Sequence, residues 1–456
     1  MNSDQLLIKK YNVPGPRYTS YPTVPFWKNA TLSLVEWKET LNENFRTFRS
    51  EDISLYIHLP FCEKLCTFCG CHKRITKNHS YEEPYIESLK KEWFLYREIL
   101  PFDPVIQELH FGGGTPTFFS SKNLIDLLET IFNQSSVDPT EHEISFEAHP
   151  MYMKLEQSEI LYDFGFRRLS IGIQDYDEVV QKAINRFQPF ENVKTIHEHA
   201  RKLGYQSISH DLVYGLPKQQ ITGFESTIDK TIELHPDRIA LYGYAHVPWI
   251  KGNGQRGFDE NDIPKDEIKR ELYEMAYEKF ISAGYISIGM DHFALPTDSM
   301  TLAMKNKTLH RNFMGYTTQN TNTLIGLGMS SISDSWFGFA QNEKSLEEYQ
   351  IQVNQGIIPI TKGHLLNKED LEIRKYILDL MCHFEMNWLA GASEILKASV
   401  KQNLKELIAD ELIQETETGY RLSENGFPFI RNACMAFDSY LHQSSRSEKP
   451  LFSQTI

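Results

Sequence analysis

The chain has 456 residues, of which 41% are hydrophobic and 24% charged, the balance of an ordinary globular protein. Its 47 basic and 61 acidic residues give a net charge of −14, with no block of basic residues, so nucleic acid is not an expected partner. No apolar run approaches the roughly 18 residues that cross a bilayer. The N-terminus lacks the apolar stretch of a secretory signal, so we expect a cytoplasmic protein without a membrane span.

The chain opens with a segment rich in proline and tyrosine. Residues 11–23, YNVPGPRYTSYPT, contain three prolines and a glycine, which favour a turn-like or extended arm over a helix. A helical pattern follows from Thr31. We therefore expect an N-terminal arm and one helix before the main body of the protein.

Short apolar runs then alternate with helical patterns. The strand candidates are 54–59, 106–111, 143–148, 168–173, 207–214 and 238–245. Several are continuously apolar, as strands of a buried parallel sheet are, and the alternation implies βαβ units. Six units are too few for a closed eight-stranded barrel. The predicted fold is therefore α/β, an incomplete parallel (β/α)6 barrel that segments 284–291 and 323–331 could extend.

From about residue 361 the alternation stops. Helical patterns at 368–384 and 398–413, a two-stranded wing at 413–423 and a last helix at 427–443 predict a mostly helical, winged-helix-like C-terminal domain. This gives three predicted regions: an N-terminal arm and helix (1–50), the barrel with extensions (51–360) and the C-terminal domain (361–456).

Four of the six cysteines lie within ten positions: Cys62, Cys66, Cys69 and Cys71. In a reducing compartment such a cluster indicates metal or redox chemistry rather than disulfides. Thiolates bind both zinc and iron–sulfur clusters. A structural zinc site usually draws two separated ligand pairs, whereas Cys382 and Cys434 stand far away and apart. The loop also follows the first strand, at the carboxyl edge of the sheet, where active sites of such folds lie.

The loop Cys-x3-Cys-x2-Cys after YIHLPF resembles that of the radical S-adenosylmethionine enzymes. The motifs CTFCGCHKRIT, HFGGGTPT, RLSIGIQD, DLVYGLPKQ, GMDHFA, LHRNFMGYTTQ and IRNACMAFDSYL resemble, within that superfamily, the oxygen-independent coproporphyrinogen III oxidases over nearly the whole chain. The resemblance implies conversion of coproporphyrinogen III to protoporphyrinogen IX in haem biosynthesis. A 5′-deoxyadenosyl radical would oxidise two propionates to vinyl groups with loss of carbon dioxide. It also implies a monomer served by a low-potential electron donor.

Residue by residue, the resemblance assigns the [4Fe–4S] cluster to Cys62, Cys66 and Cys69, with Cys71 as an additional cysteine that does not ligate it. The family binds two S-adenosylmethionine molecules. Positions matched to the first are Tyr56, Phe68, Gly113, Glu147 and Ile332. Positions matched to the second are Gly114, Thr115, Gln174, Arg186, Asp211 and Ala245. One departure is His149, where the family usually has Asp or Asn.

Substrate recognition should depend on nearby cations, because the substrate carries four propionates and the chain itself is acidic. Arg17, His310 and Arg311 are the candidates, since arginine donates two parallel hydrogen bonds to a carboxylate. Two alternatives stay open. One is a haem-binding chaperone of the same superfamily, which typically lacks the fourth cysteine and the arm that are present here. The other is a non-enzymatic, zinc-organised scaffold, which metal and sulfide analysis would distinguish.

Overall fold

A computed structural model describes residues 3–27, 32–137, 142–248, 254–255, 257–443 and 451–455. The six long parallel strands of its main sheet are β1 (Asp52–Leu59), β2 (Val105–Gly113), β3 (Glu143–Ala148), β4 (Arg168–Gln174), β5 (Ser207–Tyr214) and β6 (Arg238–Gly243), and a short strand, Ser136–Val137, pairs with β2. Each long strand pairs in parallel with the next long strand along the chain. The prediction of a parallel α/β sheet is confirmed, and the sixth strand ends two residues before the expected residue 245.

The helices, in chain order, are α1 (Ser3–Tyr11), α2 (Leu34–Phe48), α3 (Glu82–Ile99), α4 (Ser121–Phe132), α5 (Leu155–Asp163), α6 (Glu178–Ala183), α7 (Phe190–Leu203), α8 (Ile221–Leu234), α9 (Asp266–Ser282), α10 (Ser299–Lys305), α11 (Leu346–Asn354), α12 (Lys368–His383), α13 (Glu394–Ala409), α14 (Ile430–Met435) and α15 (Ser439–Gln443). Helices α3 to α8 alternate with the six strands, as βαβ units require. Helix α2 begins after Ser33, whose side chain forms a capping box with Glu36. The predicted start at Thr31 lies outside the described residues.

Beyond β6 the chain continues through β7 (Ile286–Gly289), β8 (His292–Ala294), β9 (His310–Asn312), β10 (Gly315–Thr317), β11 (Leu324–Leu327), β12 (Ile332–Asp334), β13 (Gly338–Asn342) and β14 (Ile360–Leu365). Both predicted extensions join the sheet. The first becomes the antiparallel pair β7–β8 beside β6, and the second becomes β11, parallel to β1. Within the described residues no strand pairing closes the sheet on itself, so the barrel is open.

The C-terminal region has a winged-helix-like arrangement. Helices α12 and α13 accompany an antiparallel sheet of β15 (Glu385–Asn387), β16 (Ile413–Glu415) and β17 (Gly419–Leu422). The predicted helix over 427–443 is instead divided into a 3₁₀ helix (Glu424–Phe429), α14 and α15. The Asp438 carboxylate accepts the Leu441 N–H (3.0 Å) and starts the last helix. No helix among the described residues is long and apolar enough to cross a membrane.

The N-terminal region is divided between two hydrophobic cores. Trp37 and Leu41 of α2 are buried in the core that surrounds the parallel sheet. Tyr11, Tyr18 and Tyr21 of the arm are buried in the other core, with the helices of the C-terminal region. The division of the chain after residues 50 and 360 stays a prediction. The arm nevertheless packs against the last hundred residues rather than standing free.

Candidate active site

The cysteine loop leaves the carboxyl end of β1 and is closed at its base by hydrogen bonds. A short strand, Phe61–Cys62, pairs in parallel with Arg74–Ile75. The Thr76 N–H donates to the Cys62 carbonyl (2.9 Å). Inside the loop, the Lys73 ammonium donates to the carbonyls of Cys69 and Cys71, each at 3.2 Å. These bonds fix the path of the backbone that presents the thiols.

The thiols of Cys62, Cys66 and Cys69 are half-buried and unoxidised, while Cys71 is exposed. Burial raises the pKa of the Cys62 thiol to about 11; the Thr115 hydroxyl opposes this rise, and the neighbouring Cys69 and Cys66 thiols contribute to it. In the described part of the chain, no three His, Cys, Asp or Glu side chains are placed to hold a metal ion. Three thiolates on one short loop form a donor set that suits iron–sulfur clusters, so Cys62, Cys66 and Cys69 fit a [4Fe–4S] cluster.

The turn after β2 lies directly against this loop. Gly114 N–H donates to the Leu59 carbonyl (2.9 Å), and a Cβ atom on Gly114 would come within 2.5 Å of the Pro60 carbonyl carbon. The Thr115 hydroxyl lies 3.3 Å from the Cys62 sulfur. Only glycine allows the two backbones to approach this closely. The glycine run therefore has a packing role at the cysteine loop.

His58 connects β1 to the cysteine loop. Its Nε2 lies 2.9 Å from the His72 carbonyl and its Nδ1 lies 3.1 Å from the Tyr56 hydroxyl. Burial lowers the pKa of His58 to about 4, so the imidazole is neutral near pH 7. Nε2 then carries the proton and donates to His72, while Nδ1 accepts from Tyr56. The hydrogen bond between His58 and the Tyr56 hydroxyl orients Tyr56, one of the positions matched to S-adenosylmethionine.

The two predicted carboxylates, Glu147 and Asp211, lie on the inner face of the sheet. Glu147, near the end of β3, has a half-exposed side chain 3.4 Å from His110 Nε2. Asp211 of β5 accepts a hydrogen bond from the Ser170 hydroxyl (2.7 Å). Burial raises the pKa of Asp211 to about 6, and the charge of Glu147 contributes to the rise. Both line a cavity of about 120 Å³ inside the barrel, together with Tyr242.

Arg186 lies between β4 and the cysteine loop. It donates to the Cys66 sulfur (3.7 Å), to the Gly172 carbonyl and to Gln188 Oε1 (3.0 Å). A Cβ atom on Gly172 would stand 2.9 Å from Arg186 Nη2 and 3.0 Å from Gln174 Nε2. Gly172 therefore provides the room in which both predicted side chains lie, and Arg186 puts a positive charge beside the thiols.

Three further predicted positions, Ile332, Phe68 and Ala245, are connected to the site through intermediate residues. Ile332 of β12 contacts Gly326, where an added Cβ atom would stand 2.5 Å from the Ile332 carbonyl oxygen. Gly326 in turn pairs with Tyr56 of β1. Gln255 joins Phe68 to Ala245, since its Nε2 donates to both carbonyls, at 3.1 and 2.9 Å. Sequence reasoning missed Gln255, because nothing in its polar loop connects it to a motif 187 residues away.

His149, where this chain departs from the family pattern, lies close to Arg186. Its Nδ1 accepts the Met151 N–H (3.2 Å) and its ring contacts that of Tyr152, with centroids 4.6 Å apart. Burial holds the pKa of His149 well below its ordinary value, and Arg186 adds to the effect. The position therefore holds a neutral ring where the family usually has Asp or Asn.

The structure brings together two of the three substrate candidates. Arg17 ion-pairs with Asp291, and its carbonyl accepts from Arg311 Nη2 (3.4 Å). Arg311 is only 6% exposed, and its Nε and Nη1 have no hydrogen-bond partner among the described residues. His310 instead lines a groove with Trp336 and His383. Successive residues of a strand point to opposite faces, which separates His310 from Arg311.

Comparison with known proteins identifies the family. Residues 56–231 match the model of the Radical SAM superfamily. The oxygen-independent coproporphyrinogen III oxidase of Salmonella typhimurium is 37% identical over 465 residues, covering 99% of this chain and 98% of the relative. The enzyme of that name from Pseudomonas aeruginosa is 37% identical over 460 residues, with the same coverage. The chain belongs to the oxygen-independent coproporphyrinogen III oxidase family.

A solved structure of the same family agrees with the fold. Coproporphyrinogen III oxidase (HemN) from Escherichia coli, a radical SAM enzyme, is similar to this chain with a TM-score of 0.87 and 34% identity. The match covers 96% of this chain and 99% of the other. This member of the oxidase family is therefore a radical SAM oxidoreductase, and its family implies a [4Fe–4S] cluster and S-adenosylmethionine as cofactors.

Proposed function

We propose that the chain catalyses the oxygen-independent oxidative decarboxylation of two propionate side chains of coproporphyrinogen III to vinyl groups, giving protoporphyrinogen IX. The proposal includes two bound S-adenosylmethionine molecules, an external low-potential electron donor, a monomeric state and a cytoplasmic location. Full-length similarity to enzymes named for this substrate supports it. The alternatives of a haem chaperone and a zinc scaffold give different outcomes in the test below.

The observation that carries the proposal is the meeting of three features on one side of the sheet. The cysteine loop and the Gly113–Gly114 turn lie at the carboxyl ends of β1 and β2, and the carboxylates of Glu147 and Asp211 line a cavity inside the barrel. Thiolates suit iron–sulfur centres, and carboxylates suit a cationic amine or ribose hydroxyls. This combination fits a cluster with an S-adenosylmethionine molecule beside it.

The residues of the chain have distinct roles in this proposal. Cys62, Cys66 and Cys69 hold the cluster, while His58 and Lys73 fix the loop that carries them. When bound, the cluster and S-adenosylmethionine supply the one-electron cleavage that produces a hydrogen-abstracting radical. Glu147 can pair with the amino group of S-adenosylmethionine, whose sulfonium keeps the ligand cationic. The buried walls of the barrel limit access of water to the reacting atoms.

Asp211 and Arg186 serve the proposed second molecule. Above a pH of about 6 the Asp211 carboxylate is ionised and accepts hydrogen bonds, with Ser170 fixing its orientation. Arg186 can hold a carboxylate, although Cys66, Gly172 and Gln188 already share its donors. Arg17 and Arg311 are proposed to bind propionates of the substrate.

The decisive experiment is anaerobic reconstitution with iron and sulfide, followed by turnover with coproporphyrinogen III, S-adenosylmethionine and a chemical reductant. We expect protoporphyrinogen IX, with carbon dioxide released twice per substrate molecule, and none from Cys62→Ser handled identically. Haem binding without conversion would favour the chaperone alternative. Zinc without iron or acid-labile sulfide would favour the scaffold.

A further inference from the structure

A second, smaller cavity lies where the arm, the end of β6, α9 and the C-terminal segment meet. It has a volume of about 60 Å³ and is lined by Arg17, Lys269, Arg270 and Arg431. We call it the cationic cavity. These four residues come from the arm, from α9 and from α14, so the cavity exists only in the folded chain.

Two of the four cations are neutralised within the chain. Arg17 ion-pairs with Asp291, and Arg270 Nε donates to Glu274 Oε1 at 2.7 Å. The guanidinium of Arg431 donates hydrogen bonds to backbone carbonyls of the arm and the C-terminal segment, such as those of Pro16 and Gln454, both at 2.9 Å. These carbonyls are uncharged partners. Among the described residues no carboxylate forms an ion pair with Arg431, and the Asp291 carboxylate that faces it is already paired with Arg17.

Lys269 is the remaining cation, and it has donors to spare. Its ammonium donates to the Tyr244 carbonyl at 3.0 Å. Over the described ranges of the chain, no carboxylate oxygen lies within 4.0 Å of it. An ammonium carries three N–H donors, so two stay available. Burial lowers the pKa of Lys269, and the charges of Arg17 and Arg431 lower it further, against the opposing effects of Asp266 and Asp291. A bound anion would relieve this repulsion.

We propose that the cationic cavity binds a carboxylate of the substrate and that Lys269 is the residue that determines this specificity. The inference rests on the proposed function, since it assigns one of the substrate's propionates to this site. Roughly 10–15 Å³ of cavity space accommodates one water molecule, so 60 Å³ admits a carboxylate but not a tetrapyrrole ring. The ring stays outside while one propionate enters.

The position of the cavity suits this role. Its wall includes Ala245. The Gln255 side chain donates hydrogen bonds both to the Ala245 carbonyl and to the carbonyl of Phe68 in the cysteine loop. A propionate held by Lys269 would therefore anchor the ring next to the loop, so that a different propionate could reach the reacting centre. Anchoring the substrate through one propionate lowers the entropic cost of orienting the propionate that reacts.

The test compares Lys269→Met with Lys265→Met in the full-length, cluster-bearing protein. Methionine preserves the apolar stem that lies against Gly215, where a built Cβ stands 3.0 Å from Lys269 Cγ. Lys265 is exposed just before α9, so its substitution removes the same charge outside the cavity. The probes are coproporphyrin III, the stable oxidised form of the substrate, and its tetramethyl ester, both titrated in the same detergent by fluorescence quenching.

We expect Lys269→Met to weaken coproporphyrin III binding about ten- to a hundredfold, the loss of one charge-assisted contact, and Lys265→Met to bind like the wild type. Binding of the ester should not change, and Lys269→Arg should restore most of the affinity for the acid. Cleavage of S-adenosylmethionine without substrate should stay normal in Lys265→Met, which lies outside the cavity.

Unchanged binding of coproporphyrin III by Lys269→Met would overturn the inference. Equal weakening of acid and ester would also overturn it, because Lys269 would then support the fold rather than hold a carboxylate. Failure of the proposed function would look different: the wild type would convert no coproporphyrinogen III, while the binding comparison would still report whether the cavity prefers carboxylates.

Discussion

The backbone of Gly113 lies against the imidazole of His58 so closely that a Cβ atom on Gly113 would stand 2.5 Å from the His58 ring. Gly113 also has a φ of +111°, in the region that favours glycine. Since His58 holds the cysteine loop through the His72 carbonyl, the contact joins the β2 turn to the cysteine loop. The packing of the β2 turn against the cysteine loop thus requires a residue without a Cβ atom at position 113.

Gly113→Ala should therefore disturb both motifs. We expect a loss of stability of at least about 1–2 kcal/mol from the backbone conformation alone, and a large loss of S-adenosylmethionine cleavage because His58 must move. Gly284→Ala is the matched control, since Gly284 has a φ of +91° but no atom within 4 Å of its built Cβ. Urea unfolding and cleavage assays measure the two effects. Equal cleavage in both variants would show that the His58 contact is unimportant.

Cluster assembly should depend on three cysteines and not on the fourth. Cys62→Ser, Cys66→Ser and Cys69→Ser should each lose the cluster, because serine is a harder and poorer ligand for iron–sulfur centres. Cys71→Ser, exposed in the same loop, should assemble it. Iron, acid-labile sulfide and visible absorption of each reconstituted variant provide the measurement. A cluster missing from Cys71→Ser but present in one of the other three would refute the assignment.

Substrate binding should be sensitive to Arg17 and Arg311, whose backbone and side chain are in contact. Loss of one charge-assisted hydrogen bond, roughly 1.5–3 kcal/mol, should lower kcat/KM for coproporphyrinogen III about ten- to a hundredfold in Arg17→Ala and Arg311→Ala. Formation of 5′-deoxyadenosine without substrate should not change. Arg46→Ala, on the exposed face of α2, is the control. If both variants keep a normal kcat/KM, the propionates bind elsewhere.

The stability of the fold should carry a pH dependence that originates at Glu92. This side chain is fully buried in α3 and accepts from Gly328 N–H (2.8 Å), Asn342 Nδ2 (2.6 Å) and the Tyr349 hydroxyl (2.6 Å). Burial nevertheless raises its pKa from 4.5 to about 7. Between these two pH values the folded chain binds the proton more tightly than the unfolded chain does, so stability falls as pH rises, by about 3 kcal/mol in total.

Glu92→Gln should remove that part of the slope. The free energy of unfolding of the wild type and the variant, measured at intervals from pH 5 to pH 8, gives the difference between the two curves. Glu87→Gln, on the exposed side of the same helix, should run parallel to the wild type. Parallel curves for Glu92→Gln as well would mean that Glu92 is already ionised throughout this range.

Much of the sheet could be predicted from the sequence, because its signals are local. Continuous apolar runs mark buried parallel strands wherever they lie in the chain, and the spacing of Cys62, Cys66 and Cys69 already describes a loop around one centre. The glycines before Thr115 indicate a tight turn for the same reason. The prediction of a single last helix was wrong. The helix is interrupted before Asp438, whose carboxylate caps the next helix, and hydrophobic periodicity does not reveal such a cap.

What the sequence by itself determined is thus the order of the six parallel strands and the identity of the cysteine loop, both encoded by residues close to one another in the chain. Only the tertiary structure decided that the arm is buried with the C-terminal helices, that His310 and Arg311 face apart, and that Lys269 and Arg431 share a cavity. Those outcomes depend on sheet register and on burial between segments up to several hundred residues apart, and no local pattern carries that information.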